Sequence, residues 1–143
     1  MGVFDFLGNV GAKIFGKGKK EEEAIADLLN KDLPGRIQNL KVDFKDGVVT
    51  LSGTCDTYAT REKAILLAGN VAGVKQVDDR MTSPPKEEPT IFYTVEKGDS
   101  LSKIAKSLLG NANLWPKIFE ANKEVIKNPD LIYPGQQLRI PKI

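Results

Sequence analysis

Between Leu40 and Leu51 hydrophobic and polar residues alternate. Leu40, Val42 and Phe44 are separated by Lys41, Asp43 and Lys45, and Val49 and Leu51 resume the pattern after Asp46-Gly47. A period of two reads as a strand buried on one face, and Asp-Gly is a pair that closes a two-residue hairpin. On either side the period lengthens. Within Glu21 to Lys31, Ala24, Ile25, Leu28 and Leu29 share one helical face, begun by three glutamates that suit the positive helix end and stopped by Leu33-Pro34-Gly35. Thr57 to Gly69 reads as a second helix, with Arg61, Ile65 and Ala68 at helical spacing and Leu66 and Leu67 widening the apolar stripe. Gly69 and Asn70 should stop it, leaving last carbonyls that need water, a tight turn or a cation. Val74 to Met81 supplies a third strand. The predicted order is helix, strand, strand, helix, strand, an α+β unit with two helices on one face of a three-stranded sheet.

The flanks follow other patterns. In the first twenty residues Val3, Phe4, Phe6, Leu7, Val10, Ile14 and Phe15 form a rough helical stripe that Gly8, Gly11, Gly16 and Gly18 weaken. The expectation is a short helix docked on the domain body; contact with a membrane surface, or a segment ordered by a ligand or partner, are the other readings. Thr82 to Thr90, TSPPKEEPT, is a stiff connector with few apolar residues and marks a domain boundary. The organisation is then 1–20 as a docking segment, 21–81 as the first domain, 82–90 as linker and 91–143 as the second domain. In the last of these, Phe92 to Val95 reads as a strand, and Asp99 or Ser100 caps a helix carrying Leu101, Ile104, Ala105 and Leu108, closed by Gly110. A second helix starts near Asn113 with Pro116 in its first turn, and its Trp115, Ile118, Phe119 and Ala121 are expected to meet the first. Turns at Asn128-Pro129-Asp130 and Tyr133-Pro134-Gly135 lead to a final strand, Gln137 to Ile140.

Composition removes several chemistries. The formal charge is +2 over 143 residues, with basic termini around an acidic middle, so no region demands nucleic acid. Cys55 is the single cysteine and histidine is absent, which excludes disulfide frameworks, the usual zinc sets and histidine-based triads. Cys55 therefore reads as structural or incidental rather than nucleophilic. Asp78-Asp79 reads as a solvated strand edge rather than a two-carboxylate site. The N-terminal glycines lack the strand and Gly-Lys-Ser/Thr ending of a phosphate loop. With neither a secretory pattern nor about 20 consecutive apolar residues, a cytoplasmic protein without stable membrane insertion, and not an enzyme, is expected.

Residues Tyr93 to Pro141 resemble a LysM domain over its full length, in the order YTVEKGDSL, LWPKIFEAN and IYPGQQLRIP. The preceding part resembles a BON domain, with Val49-Thr50-Leu51-Ser52-Gly53 at its strand-to-glycine step and Gly73-Val74-Lys75-Gln76-Val77 running into its third strand. Together with the start MGVFDFLGNVGAK, essentially the whole chain resembles the small bacterial cytoplasmic BON–LysM potassium-binding proteins. The fold implied is a BON domain, two helices on a three-stranded sheet, followed by a strand-helix-helix-strand LysM domain.

The resemblance implies K+ as the bound ion, held by backbone carbonyls of Leu7, Val10 and Ala12 on the N-terminal segment and of Gly69, Val71 and Val74 on the corner after the second helix. Such a cage leaves almost no side-chain pattern, because oxygen dipoles replace the hydration shell of a large monovalent cation. Gly69 is expected to supply a special backbone angle, with Val10, Val71 and Val74 drying the site. The resemblance to LysM domains also implies an alternative, N-acetylglucosamine-containing glycan at Gly98, Asp99, Ser100 and Leu101 facing Asn128, Pro129, Asp130, Leu131 and Ile132. The plain structural reading of those loops is a turn, a cap and a core leucine. A protein-interaction adaptor with an unidentified partner is a third reading.

Overall fold

The computed structural model describes residues 2–16 and 18–142. The chain divides into two compact units, residues 1–86 and 87–143. The first contains β1 (Gly2–Asp5), α1 (Glu21–Asp32), β2 (Ile37–Lys45), β3 (Val48–Cys55), α2 (Tyr58–Gly69) and β4 (Gln76–Asp79); the second contains β5 (Thr90–Thr94), α3 (Leu101–Leu109), α4 (Trp115–Ala121) and β6 (Gln137–Pro141). The mixed helix-and-sheet fold is the class the sequence predicts.

In the first unit the predicted hairpin forms with Phe44 opposite Val49 and Val42 opposite Leu51. Asp46 and Gly47 both take positive φ, 51° and 80°, as a tight hairpin turn of this hand requires. Upstream the pairing slips between Gln38 and Lys41, where Asn39 has φ 57°. Helix α2 is capped by the Thr57 hydroxyl, which accepts from Thr60 N at 3.0 Å, and it carries the chain over to β4, parallel to β3. Ile25, Leu29, Val49, Leu51, Ile65, Leu66 and Val77 are fully or almost fully buried, so one sheet face and both helices share the core.

The N-terminal segment departs from expectation. Its first residues are not a helix but the strand β1, antiparallel to β4 with Phe4 opposite Val77, so the three predicted strands become a four-stranded sheet in the order β1-β4-β3-β2. Two facts defeat the helical stripe. Gly8 and Gly11 take φ 80° and 112°, outside the helical region, and β1 satisfies backbone groups that β4 would otherwise present at an edge.

Asp79 also corrects the sequence reading. It is 3% exposed, accepts from Arg61 Nε at 2.8 Å and from Met81 N at 2.9 Å, and so is a buried ion-paired group rather than a solvated edge. Its neighbour Asp78 points to the other sheet face and pairs with Arg80 at 3.2 Å. Cys55 is buried beside Met81, sulfur to sulfur 3.6 Å, and burial pushes its thiol up to about 11, so it stays protonated and unreactive at neutral pH.

In the second unit β5 and β6 pair antiparallel, and α3 and α4 pack on them around Val95, Leu101, Ile104, Ile118, Leu138 and Ile140. Helix α3 is capped by Ser100, whose hydroxyl accepts from Lys103 N, and ends at Gly110 with φ 81°. Asn122 is fully buried after α4. Its amide donates to Ile118 O and Arg139 O and accepts from Arg139 N, all at 2.7 Å, which fixes α4 against β6.

Candidate functional site

The end of α2 and the N-terminal segment are stitched together by backbone hydrogen bonds. Phe6 N donates to Lys75 O at 2.8 Å, Gly73 N to Gly8 O at 2.7 Å, Ala12 N to Asn70 O at 3.0 Å and Ala72 N to Ala12 O at 2.9 Å. The last two form an isolated parallel bridge between Ala12 and Val71. The corner itself is tight: Asn70 N reaches back to Leu66 O at 2.9 Å, and Val74 N donates to Val71 O at 3.1 Å. Leu7, Val10 and Ala12 therefore lie in the stretch that is laid along the corner bearing Gly69, Val71 and Val74. Gly69, Val71 and Val74 are buried, Val10 is half-buried, and the Leu7 and Ala12 side chains are exposed.

The carbonyls of these six residues are not equally engaged. Ala12 O and Val71 O each accept one backbone hydrogen bond. Among the described residues no backbone hydrogen bond ends on the oxygens of Leu7, Val10, Gly69 or Val74. A carbonyl has two lone pairs, so all six keep acceptor capacity. At a helix C-terminus such oxygens carry the negative end of the macrodipole, which attracts a cation without any carboxylate. Among the described residues no group of three or more His, Cys, Asp or Glu side chains could hold a metal ion.

Gly69 is required for a reason other than the one expected. It is helical, the last residue of α2, and its backbone angle is not special. A methyl group there would lie 2.1 to 2.3 Å from Cζ, Cε1 and Cε2 of Phe6, whose ring rests on the bare Cα and is 8% exposed. Gly73 does have φ 103°, and a methyl there would meet the Phe15 ring at 3.1 Å. Phe15 in turn packs on Phe44, ring centroids 5.1 Å apart and tilted by 59°. The sequence reading missed Phe6 and Phe15 as anchors of this segment; two aromatics spaced among glycines, opposite glycines on the corner, were the available signal.

In the second unit the two predicted loops face one groove of about 460 Å³, lined by Asp99, Ser100, Leu101, Ser102, Trp115, Pro129, Asp130 and Ile132. Gly98, Asn128 and Leu131 do not line it. Gly98 O accepts from Lys103 Nζ at 3.1 Å, Asn128 Oδ1 accepts from Asp130 N at 2.9 Å, and Leu131 is 69% exposed. Trp115, expected to pack on the first helix, is 37% exposed at the groove wall instead. Asp99 is partly committed to its own loop: Oδ2 accepts from Tyr93 Oη at 2.6 Å and from Glu96 N at 2.8 Å. That bond to the carboxylate, aided by desolvation, pushes the Tyr93 phenol up to about 12. A larger hollow, about 600 Å³ beside Pro89, Pro116 and Pro141, contains none of the predicted residues.

No helix among the described residues is long and apolar enough to cross a membrane. Residues 21–85 match the BON domain family and residues 93–141 the LysM domain family. The chain is 39% identical over 148 residues to the potassium binding protein Kbp of Escherichia coli O6:H1, covering 99% of both chains. It is 38% identical over 120 residues to an uncharacterized protein of Deinococcus radiodurans, covering 75% of this chain and 47% of that one. An endolysin of Bacillus phage B103 is 36% identical over 80 residues, 56% of this chain and 27% of the phage protein. With the first of these matches running from end to end, the chain belongs to the BON–LysM family that includes the potassium binding protein Kbp.

Proposed function

We propose that this protein binds K+ in the cytoplasm, in a cage of backbone carbonyls contributed by Leu7, Val10, Ala12, Gly69, Val71 and Val74, and that the ion orders the N-terminal segment against the BON unit. The observation that carries the reading is the end-to-end similarity to a potassium binding protein. Support from geometry comes from the backbone bonds that lay residues 6–12 along the α2 corner, and from acceptor capacity left on carbonyls of both segments. The chemistry favours a large, weakly hydrated monovalent ion. Neutral carbonyl dipoles can replace its hydration shell, whereas Mg2+ dehydrates reluctantly and is commonly bound through carboxylates. The role is binding or sensing, without catalysis.

The test is amide hydrogen exchange with and without potassium chloride at matched ionic strength. Ion binding to both segments should slow exchange at Ala12, Ala72 and Gly73, whose N–H groups make the stitching bonds, more than in α3 of the second unit. Equal protection in sodium and potassium would contradict the reading.

A second reading, glycan binding by the LysM unit, is favoured by the groove that joins Asp99, Ser100 and Leu101 to Pro129, Asp130 and Ile132 beside exposed Trp115. Aromatic faces at a wet groove suit a sugar ring, since one side of the indole is apolar and its edge can donate a hydrogen bond. Chitin oligomers should then quench Trp115 fluorescence. An unchanged spectrum at millimolar oligomer would leave these loops with their structural roles alone.

A further inference from the structure

Lys75 sits where three segments meet. Its N–H donates to Gly47 O at 2.7 Å, in the turn between β2 and β3, and its carbonyl accepts from Phe6 N at 2.8 Å, on the N-terminal segment. Its side chain repeats the bridge. A methyl group at Gly8 would lie 3.0 Å from Lys75 Cγ, and one at Gly47 would lie 3.2 Å from both Cγ and Cδ of the same residue. Both glycines have φ 80°, so each offers a bare Cα, and the lysine stem lies over both although the residue as a whole is exposed. Long charged side chains lay their methylenes on such surfaces while the head stays hydrated.

Gly8 is the point at which this matters. Its carbonyl accepts from Gly73 N at 2.7 Å, and the open side of its Cα faces Val74 O, which a methyl there would approach to 3.6 Å. The stem of Lys75 thus covers the residue that brings the Leu7-to-Ala12 stretch onto the corner. We infer that Lys75 is a positioning residue for the carbonyl cage, acting through its methylene stem and not through its charge; this rests on the potassium reading above. The stem spans from the rigid hairpin turn at Gly47 to the N-terminal loop at Gly8, limiting the range of positions the loop carbonyls can take. A positive charge close to a cation site would by itself oppose binding, so stem and charge predict opposite effects of the same substitution.

The discriminating experiment is calorimetric titration of ion-free wild type, Lys75→Met and Lys75→Ala with potassium chloride, with Gly73 amide exchange measured on the same ion-free samples. Met keeps an unbranched stem without charge. Lys75→Met should bind at least as tightly as wild type and keep Gly73 protected, while Lys75→Ala should bind about tenfold more weakly, about 1.4 kcal/mol, and lose protection at Gly73. Urea midpoints of the two variants should differ little, since no core residue is removed. If Lys75→Ala binds as tightly as wild type, or if Lys75→Met weakens as much as Lys75→Ala, the inference is overturned while the potassium site stands. If wild type itself gives no potassium heat, the potassium reading fails and this inference falls with it.

Discussion

Replacing Gly69 by alanine adds one methyl group, yet the position of that methyl makes the change informative. At 2.1 to 2.3 Å from three ring carbons of Phe6 it sits well inside the usual carbon–carbon separation of about 3.5–4.0 Å, so the ring must leave its seat. Removing a Phe side chain from burial costs roughly 1.5–3 kcal/mol. Against this, Gly→Ala in a helix gains roughly 0.5–1 kcal/mol. The two effects act on different equilibria. The alanine stabilises α2 and the core, whereas the lost contact disfavours only the docked N-terminal segment. A loss of about 1.5–3 kcal/mol lowers the docked population relative to the undocked by roughly ten- to more than a hundredfold. Amide exchange at Ala12, Ala72 and Gly73 reads that population directly, since their N–H groups bond across the two segments. Those amides should lose protection in Gly69→Ala while core amides of β3 keep theirs, and potassium affinity should fall with them, because a ligand that needs the docked state is weakened by its rarity. In a Phe6→Ala background the same substitution should have no further effect on docking. Unchanged protection and affinity in Gly69→Ala would refute the argument that the Phe6 seat holds the segment.

Three further outcomes are expected. Asp79→Ala leaves the Arg61 guanidinium, only 13% exposed, without its carboxylate and Met81 N without its acceptor, so urea unfolding of the first unit should show a loss of about 3–5 kcal/mol; a loss below about 1 kcal/mol would contradict the buried pair. Asn122→Ala removes three hydrogen bonds of 2.7 Å and orphans the Arg139 backbone, and a loss of about 2–4 kcal/mol should appear in the unfolding of the second unit. The folded protein holds the Tyr93 proton up to about pH 12 whereas the ordinary value is 10.0, so this contribution to stability is intact below pH 10 and falls as pH rises towards 12. Absorbance titration of the phenols should place Tyr93 late, and Asp99→Asn should bring it earlier; an unshifted titration in that variant would exclude the Asp99 bond as the cause.

What could be read from the chain depended on whether the deciding interaction was local. The β2–β3 hairpin and the cap of α3 were legible because Asp46-Gly47 and Ser100 act on backbone groups within a few residues. Strand β1 was not, because Val3, Phe4, Phe6, Leu7 and Val10 satisfy a helical stripe, and the choice was made by β4, more than seventy residues away in sequence. A partner outside the local window also hid Asp79, which pairs with Arg61, 18 residues back in α2. A carbonyl site has no side-chain pattern at all, so Leu7, Val10, Ala12, Gly69, Val71 and Val74 came from resemblance and not from the residues themselves. The correction at Gly69 has the same origin: a helix-terminal glycine reads as a terminator, and only the approach of Phe6 reveals that it is a seat.

The central claim is that carbonyl dipoles of two segments bind a large monovalent cation, and calorimetric titration of the metal-free protein with potassium, rubidium, caesium, sodium and magnesium chlorides at matched ionic strength tests it most directly. Saturable heat with one ion per chain is expected for potassium, with rubidium and caesium close to it, sodium weaker and magnesium silent, since neutral oxygens favour ions that give up water easily. Absence of potassium heat, or tighter binding of magnesium than of potassium, would contradict the carbonyl cage.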